Sequence, residues 1–63
     1  MPSITISMLE GRTKEQKAQI VKEMTDTMVR VLGVNPEIVH IVINENPKEN
    51  VGRAGVLISD RKK

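Results

Sequence analysis

Residues 3–9 read Ser-Ile-Thr-Ile-Ser-Met-Leu, so that apolar and polar side chains alternate along the stretch. Ile4, Ile6 and Met8 project to one side of an extended chain, and the hydroxyl residues between them project to the other. This period of two predicts a half-buried β-strand. The apolar side of the strand has to be covered by an element that follows it.

That element is predicted to be a long helix. Thr13-Lys14-Glu15-Gln16 fits a capping box, in which the Thr13 hydroxyl and the Gln16 amide satisfy backbone N–H groups reciprocally. We expect the helix to run over residues 14–32 and to end at Gly33, a glycine placed after the last turn. Its apolar stripe comprises Val21, Met24, Met28 and Leu32, widened by Ala18, Ile20, Val29 and Val31.

The second half of the chain predicts another strand and a hairpin. Residues 38–44 are β-branched on both faces, as in a strand covered on two sides, and glycines at 52 and 55 bracket a bend before a last short strand over 56–59. A strand–helix–strand unit has a right-handed crossover, which makes its two strands parallel. The sequence therefore predicts an α+β fold: a single β-α-β unit with a short C-terminal hairpin, in one domain over 1–63 that ends in a basic tail at 61–63.

The composition indicates that one copy of this unit cannot bury a sufficient core. The 63 residues contain no Phe, Tyr, Trp or Cys. A chain of this length buries only about 60% of its unfolded surface, and disulfides and thiolate zinc sites are excluded. The single histidine, His40, also excludes a His-rich metal site within one chain. We therefore expect no metal, and a sheet whose second face is completed by oligomerisation.

Charge and hydropathy indicate whether the chain binds nucleic acid or a membrane. The net charge is +2, and the isoelectric point near 9.3 comes largely from Arg61-Lys62-Lys63. Because the chain lacks stacking aromatics, we expect no nucleic-acid partner; a small nucleic-acid-binding oligomer is an alternative that rests on the basic tail alone. No apolar run approaches the roughly 20 residues needed to span a bilayer, and no secretory signal is visible, so we expect no membrane association and a cytoplasmic location.

Pro2 is the first candidate for chemistry. It follows Met1, and an initiator methionine is generally removed before a small residue such as proline. Removal leaves a secondary amine, which can act as a general base or nucleophile without any side chain. An α-amino group titrates near about 8, and nearby cations or a dry pocket favour its neutral form.

The residues around Pro2 resemble a known family. Pro2, the alternating strand, Leu9-Glu10-Gly11-Arg12-Thr13 and Glu15-Gln16-Lys17 stand at the offsets seen in the 4-oxalocrotonate tautomerase family. The resemblance covers essentially the whole chain, as one tautomerase-like domain. It implies β-α-β subunits whose dimers share a sheet and assemble three at a time into a hexamer. It also implies an isomerase without a cofactor, which performs keto–enol tautomerisation of a small, acidic 2-hydroxy-dienoate or 2-oxo acid.

The same resemblance assigns three residues. Pro2 stands where the family places its general base. Arg12 stands at the position of an arginine that grips the distal carboxylate of the substrate, and Leu9 stands at an apolar position that lines the pocket. Such a reaction needs a poised base and fixed cations, since negative charge builds on the 2-oxo group as the proton leaves carbon.

Three positions depart from the family pattern. His40 falls where the family has a second arginine, and Val51 falls where it has an aromatic residue that keeps the pocket apolar. Arg53 occupies a hairpin position expected to be apolar, and our hypothesis is that it replaces part of the charge missing at His40. These departures leave an alternative: a catalytically weak or inactive oligomeric structural or interaction protein that kept the fold.

Overall fold

The computed structural model describes residues 1–61. The basic tail expected at 61–63 therefore lies outside the described residues except for Arg61. The strands and the helix are β1 (Ser3–Leu9), α1 (Lys14–Leu32), β2 (His40–Asn46), β3 (Gly52–Arg53) and β4 (Val56–Leu57), with short 3-10 helices at Pro36–Ile38, Lys48–Asn50 and Ile58–Asp60.

Helix α1 begins and ends as the sequence predicts. The Thr13 hydroxyl accepts a hydrogen bond from the Gln16 backbone N–H, and the Gln16 side-chain oxygen accepts one from the Thr13 N–H, each at 3.0 Å. At the other end Gly33 is left-handed, with φ 69°, and its N–H donates to the Val29 carbonyl. Both caps satisfy backbone groups that a helix terminus leaves without partners. In residues 1–61 no helix is long and apolar enough to cross a membrane.

Strands β1 and β2 pair in parallel, which confirms the predicted direction of the two strands. The register runs from Ser3 opposite His40 to Leu9 opposite Asn46. On one face, the half-buried side chains of β1 and β2 lie beneath α1, and the Lys17 ammonium forms an ion pair of 2.9 Å with the Glu45 carboxylate. That face consists of Ile4, Ile6, Met8, Ile41, Ile43 and Glu45, and the half-buried side chains of α1 are Lys17, Ile20, Val21, Thr25, Met28 and Val29.

The other face of the sheet is more polar than expected. Strand β2 was predicted over residues 38–44 but begins at His40, because Pro36–Ile38 forms a 3-10 turn that the Asn35 side chain caps. Ile38 is thereby removed from the strand, which extends instead through Asn46. Serine, threonine and asparagine side chains dominate this face, and Val42 is 53% exposed. In the single chain this second face is open, which is consistent with the expectation that oligomerisation completes it.

The C-terminal hairpin forms where predicted but is shorter. Strand β4 ends at Leu57 rather than at residue 59, because Ile58–Asp60 turns into a 3-10 helix. The Ile58 N–H donates to the Val51 carbonyl at 2.8 Å, which closes the base of the hairpin. At its tip Ala54 and Gly55 both have positive φ, 55° and 80°. This is the conformation of the tight turns that match the twist of paired strands.

A single copy has no enclosed core. No hydrophobic side chain within residues 1–61 is fully buried, and Val31 and Leu32, predicted to belong to the helix stripe, are 65% and 53% exposed. The radius of gyration is 15.1 Å, against roughly 11 Å for a compact chain of this length. Within the described part of the chain, the sheet of β1 and β2 has only two strands, so the outer side of each strand has no strand partner. These features are consistent with a sheet that is completed by oligomerisation.

Ala54 gives a test of the hairpin geometry. A left-handed backbone disfavours alanine and is tolerated by asparagine, so Ala54→Asn should raise the free energy of unfolding by about 0.5–1 kcal/mol. Urea unfolding at a fixed protomer concentration measures the change. The same substitution at Ala18 in α1, a residue that is exposed in the single copy although the sequence predicts it at the margin of the apolar stripe, is the matched control and should lower stability, because asparagine is a poorer helix former. A loss of stability in both variants would contradict the assigned turn.

Candidate active site

Pro2 and His40 lie together at one edge of the sheet, the one formed by the amino ends of β1 and β2. The His40 N–H donates to the Pro2 carbonyl at 3.1 Å, which extends the parallel ladder by one residue beyond Ser3. Pro2 is half-buried, whereas Met1 before it is 83% exposed. Removal of Met1 would therefore disturb little packing within the chain and would leave the Pro2 nitrogen at the start of a fixed strand.

Leu9 and Val51 lie together at the opposite edge, the one formed by the carboxyl ends of the two strands. They line a hollow of about 290 Å³, along with Ser7, Met8 and Asn46. The Glu10 N–H donates to the Asn46 carbonyl at 3.0 Å, so the loop that leaves β1 is fixed against the end of β2. The hollow is thus formed by the carboxyl ends of two parallel strands and by the chain that enters the hairpin.

Arg12 and Arg53 each follow, within three residues along the chain, a residue that lines this hollow. Arg12 follows β1, and Arg53 is the last residue of β3, two positions after Val51. The Arg53 carbonyl accepts a hydrogen bond of 3.1 Å from the Arg61 guanidinium, which ties the chain after the hairpin to β3. The ion pairs within residues 1–61 involve lysines only, so neither Arg12 nor Arg53 is neutralised by a carboxylate there. Both exposed guanidinium groups are available to bind an anion.

The structure thus divides the predicted site residues into two groups. Pro2 and His40 stand at the amino ends of the strands, and the remaining four stand at or beyond the carboxyl ends: Leu9, Arg12, Val51 and Arg53. A strand rises about 3.3 Å per residue, so Pro2 is roughly 23 Å from Leu9 along β1. No small acid can touch both groups within one chain. A site that uses both requires the carboxyl edge of a second copy beside Pro2.

Ser7 and Asn46 line the hollow but were not predicted as site residues. The period of two places Ser7 and Leu9 on the same face of β1, so the sequence contained the signal for Ser7. Asn46 was not predicted because the predicted strand ends at residue 44, whereas β2 continues to Asn46 and pairs it with Leu9.

Other features of the described chain add no further group to this site. A second hollow, of about 400 Å³, lies beside the loop after β1 and is lined by Glu10, Gly11, Pro47, Lys48, Glu49 and Ser59. Among residues 1–61, no three His, Asp or Glu side chains are grouped so that they could hold a metal ion. On the outer face of α1, a hydrogen bond to Asp26 raises the pKa of Lys22, far from either edge of the sheet.

Comparison with known proteins identifies the family. Residues 2–61 match the family described as "Tautomerase enzyme". A probable tautomerase of Halalkalibacterium halodurans is 41% identical over 61 residues, which are 97% of this chain and all of that protein. The crystal structure of a 4-oxalocrotonate tautomerase homologue superposes with a TM-score of 0.93 at 32% identity and covers the whole of both chains. A heterohexamer 4-oxalocrotonate tautomerase from Chloroflexus aurantiacus superposes with a TM-score of 0.88 at 27% identity, over 98% of this chain and all of that one.

The chain therefore belongs to the 4-oxalocrotonate tautomerase family. The predicted α+β fold, with one β-α-β unit and a C-terminal hairpin, is confirmed. Family membership supports an isomerase of the tautomerase class.

Proposed function

We propose that the protein catalyses keto–enol tautomerisation of a small 2-hydroxy-dienoate or 2-oxo acid, with the N-terminal amine of Pro2 as the general base. The observation that carries the proposal is the family match over residues 2–61, which includes a proline immediately before β1. Proline is the one residue whose N-terminal amine is secondary, and its nitrogen here stands at a defined edge of the sheet. From the enol, the amine takes the proton of the 2-hydroxyl group and delivers it to a chain carbon; from the 2-oxo acid, it removes a proton from that carbon and the oxygen is protonated in turn.

The charges at the other edge support an acidic substrate. Removal of a proton next to a 2-oxo group places negative charge on oxygen, in addition to the carboxylates that the substrate already carries. Fixed cations stabilise that charge most when no protein carboxylate neutralises them. Arg12 grips the distal carboxylate in this proposal, and Leu9 and Val51 form the apolar wall of the pocket. His40 donates a hydrogen bond at the Pro2 end, without the paired donors of an arginine.

The working enzyme in this proposal is an oligomer, most simply a hexamer built from three dimers. Three observations support this assembly: residues 1–61 have no enclosed core, the outer sides of β1 and β2 lack strand partners there, and one structural relative is named as a heterohexamer. Association serves two purposes. It buries the apolar side chains that one copy leaves exposed, and it brings the carboxyl edge of one copy to the Pro2 edge of another.

Substitution of Pro2 tests the base. In protein whose intact mass shows that Met1 is absent, Pro2→Ala should reduce kcat/KM on phenylpyruvate and on 2-hydroxymuconate by about 100-fold or more. Protein that retains Met1 is the internal control, since its Pro2 nitrogen is an amide that cannot accept a proton at neutral pH. Full activity of Pro2→Ala would refute the role of Pro2 as the general base. Inactivity of the Met1-free wild type would favour the alternative, a structural protein that retained the fold.

A mixing experiment tests whether the site spans two copies. Pro2→Ala and Arg12→Ala proteins are each expected to be weakly active as homo-oligomers. After joint unfolding and refolding in equal amounts, about a quarter of the sites should contain an intact Pro2 from one copy and an intact Arg12 from another. Activity should therefore rise towards a quarter of the wild-type value. Mixing without any gain would place both residues in the same chain's site.

Arg53 is tested by its effect on substrate affinity. In the proposal, the Arg53 guanidinium supplies part of the positive charge that an arginine at position 40 would carry and that His40 does not. Arg53→Ala should raise the KM for an acidic substrate by about tenfold, the effect of losing one charged hydrogen bond, with a smaller change in kcat. Arg30→Ala, which removes an exposed arginine from the last turn of α1, is the matched control. An unchanged KM for Arg53→Ala would contradict the role.

A further inference from the structure

Among the residues that line the hollow at the carboxyl edge of the sheet, only Asn46 has a side-chain NH2 group, which is uncharged and can donate two hydrogen bonds. The other lining residues are the apolar Met8, Leu9 and Val51 and the hydroxyl-bearing Ser7. Asn46 is half-buried, and within residues 1–61 its side chain makes no hydrogen bond. It is therefore a polar group without a protein partner in an otherwise largely apolar hollow.

The backbone of Asn46 is held firmly. Asn46 pairs with Leu9 at the end of the parallel ladder, and its carbonyl accepts the hydrogen bond from the Glu10 N–H at 3.0 Å. The carboxamide therefore projects from a fixed strand and not from a loop. Groups placed on such rigid elements fix the orientation of a ligand well.

We propose that Asn46 is a specificity-determining residue that makes the site prefer acids whose far end carries a second carboxylate. This inference rests on the proposed tautomerase function. A ligand that fills the hollow with a carboxylate accepts hydrogen bonds from the Asn46 side-chain NH2 group, beside the loop that carries Arg12. A ligand that fills it with an apolar group leaves the carboxamide desolvated and without a partner, which is costly.

Two substitutions by residues that are branched at the same side-chain position as asparagine test the role through substrate preference. Asn46→Leu keeps the shape of the side chain and removes its polarity. It should raise the KM for the diacid 2-hydroxymuconate by about tenfold and lower the KM for phenylpyruvate, whose far end is an apolar ring. Asn46→Asp replaces the donor by a negative charge and should raise the KM for the diacid further. Opposite movements of the two KM values cannot arise from a general loss of folding.

Asn44 provides the matched control. It lies on the same strand and the same face two positions earlier, opposite Ser7, and does not line the hollow. Asn44→Leu and Asn44→Asp introduce the same changes of shape and charge at a short distance from the hollow. Both should leave the ratio of kcat/KM for the two substrates near its wild-type value. An equal change of that ratio at positions 44 and 46 would overturn the proposal.

A binding measurement separates this inference from the proposed function. Adipate is a diacid that cannot undergo keto–enol tautomerisation. In NMR spectra of the wild-type protein, titration with adipate should shift the side-chain NH2 resonances of Asn46 but not those of Asn44. Such a shift in a protein without tautomerase activity would support the inference and leave the proposed reaction wrong. Saturation by adipate with no shift at Asn46 would overturn the inference, and tautomerase activity that depends on Pro2 would still stand.

Discussion

The parallel pairing of β1 with β2 is the constraint on which the rest of this structure depends. Parallel strands require a crossover, and α1 provides it by returning the chain over one face of the sheet. The same pairing places both amino ends at one edge and both carboxyl ends at the other. Pro2 and His40 therefore meet, while the hollow around Leu9 and Asn46 forms at the far side.

In the proposed function, the separation of these two edges links catalysis to assembly. With no aromatic residue and no enclosed side chain in residues 1–61, one copy lacks the buried area that small domains need. Association would supply it, and the same association would bring a base from one copy to the cations and apolar wall of another. In the proposed function, stability and activity therefore depend on one set of contacts. A substitution at a subunit interface would then affect both, even far from Pro2.

Local signals predicted the helix and the topology well. The capping box at Thr13 and the glycine at 33 act through hydrogen bonds between near neighbours, so their outcome hardly depends on the rest of the fold. The ends of β2 and β4 were predicted less well. A strand ends where its partner or a competing turn ends it, and the Asn35 cap and the 3-10 helix at Ile58–Asp60 decided both cases. The two-residue displacement of β2 also concealed Asn46.

By itself, the sequence determined the order of the elements, which depends on residue type, periodicity and spacing, and its resemblance to known sequences indicated the family and suggested the candidate site residues. Only the tertiary structure decided which of those residues meet. It placed Leu9 and Val51 on one hollow and set Pro2 at the opposite edge, and it added Asn46 to the lining of that hollow. The physical reason is that the exact ends and register of strands distant in the sequence are fixed where the strands pair, so local periodicity alone does not say which residues meet at each end.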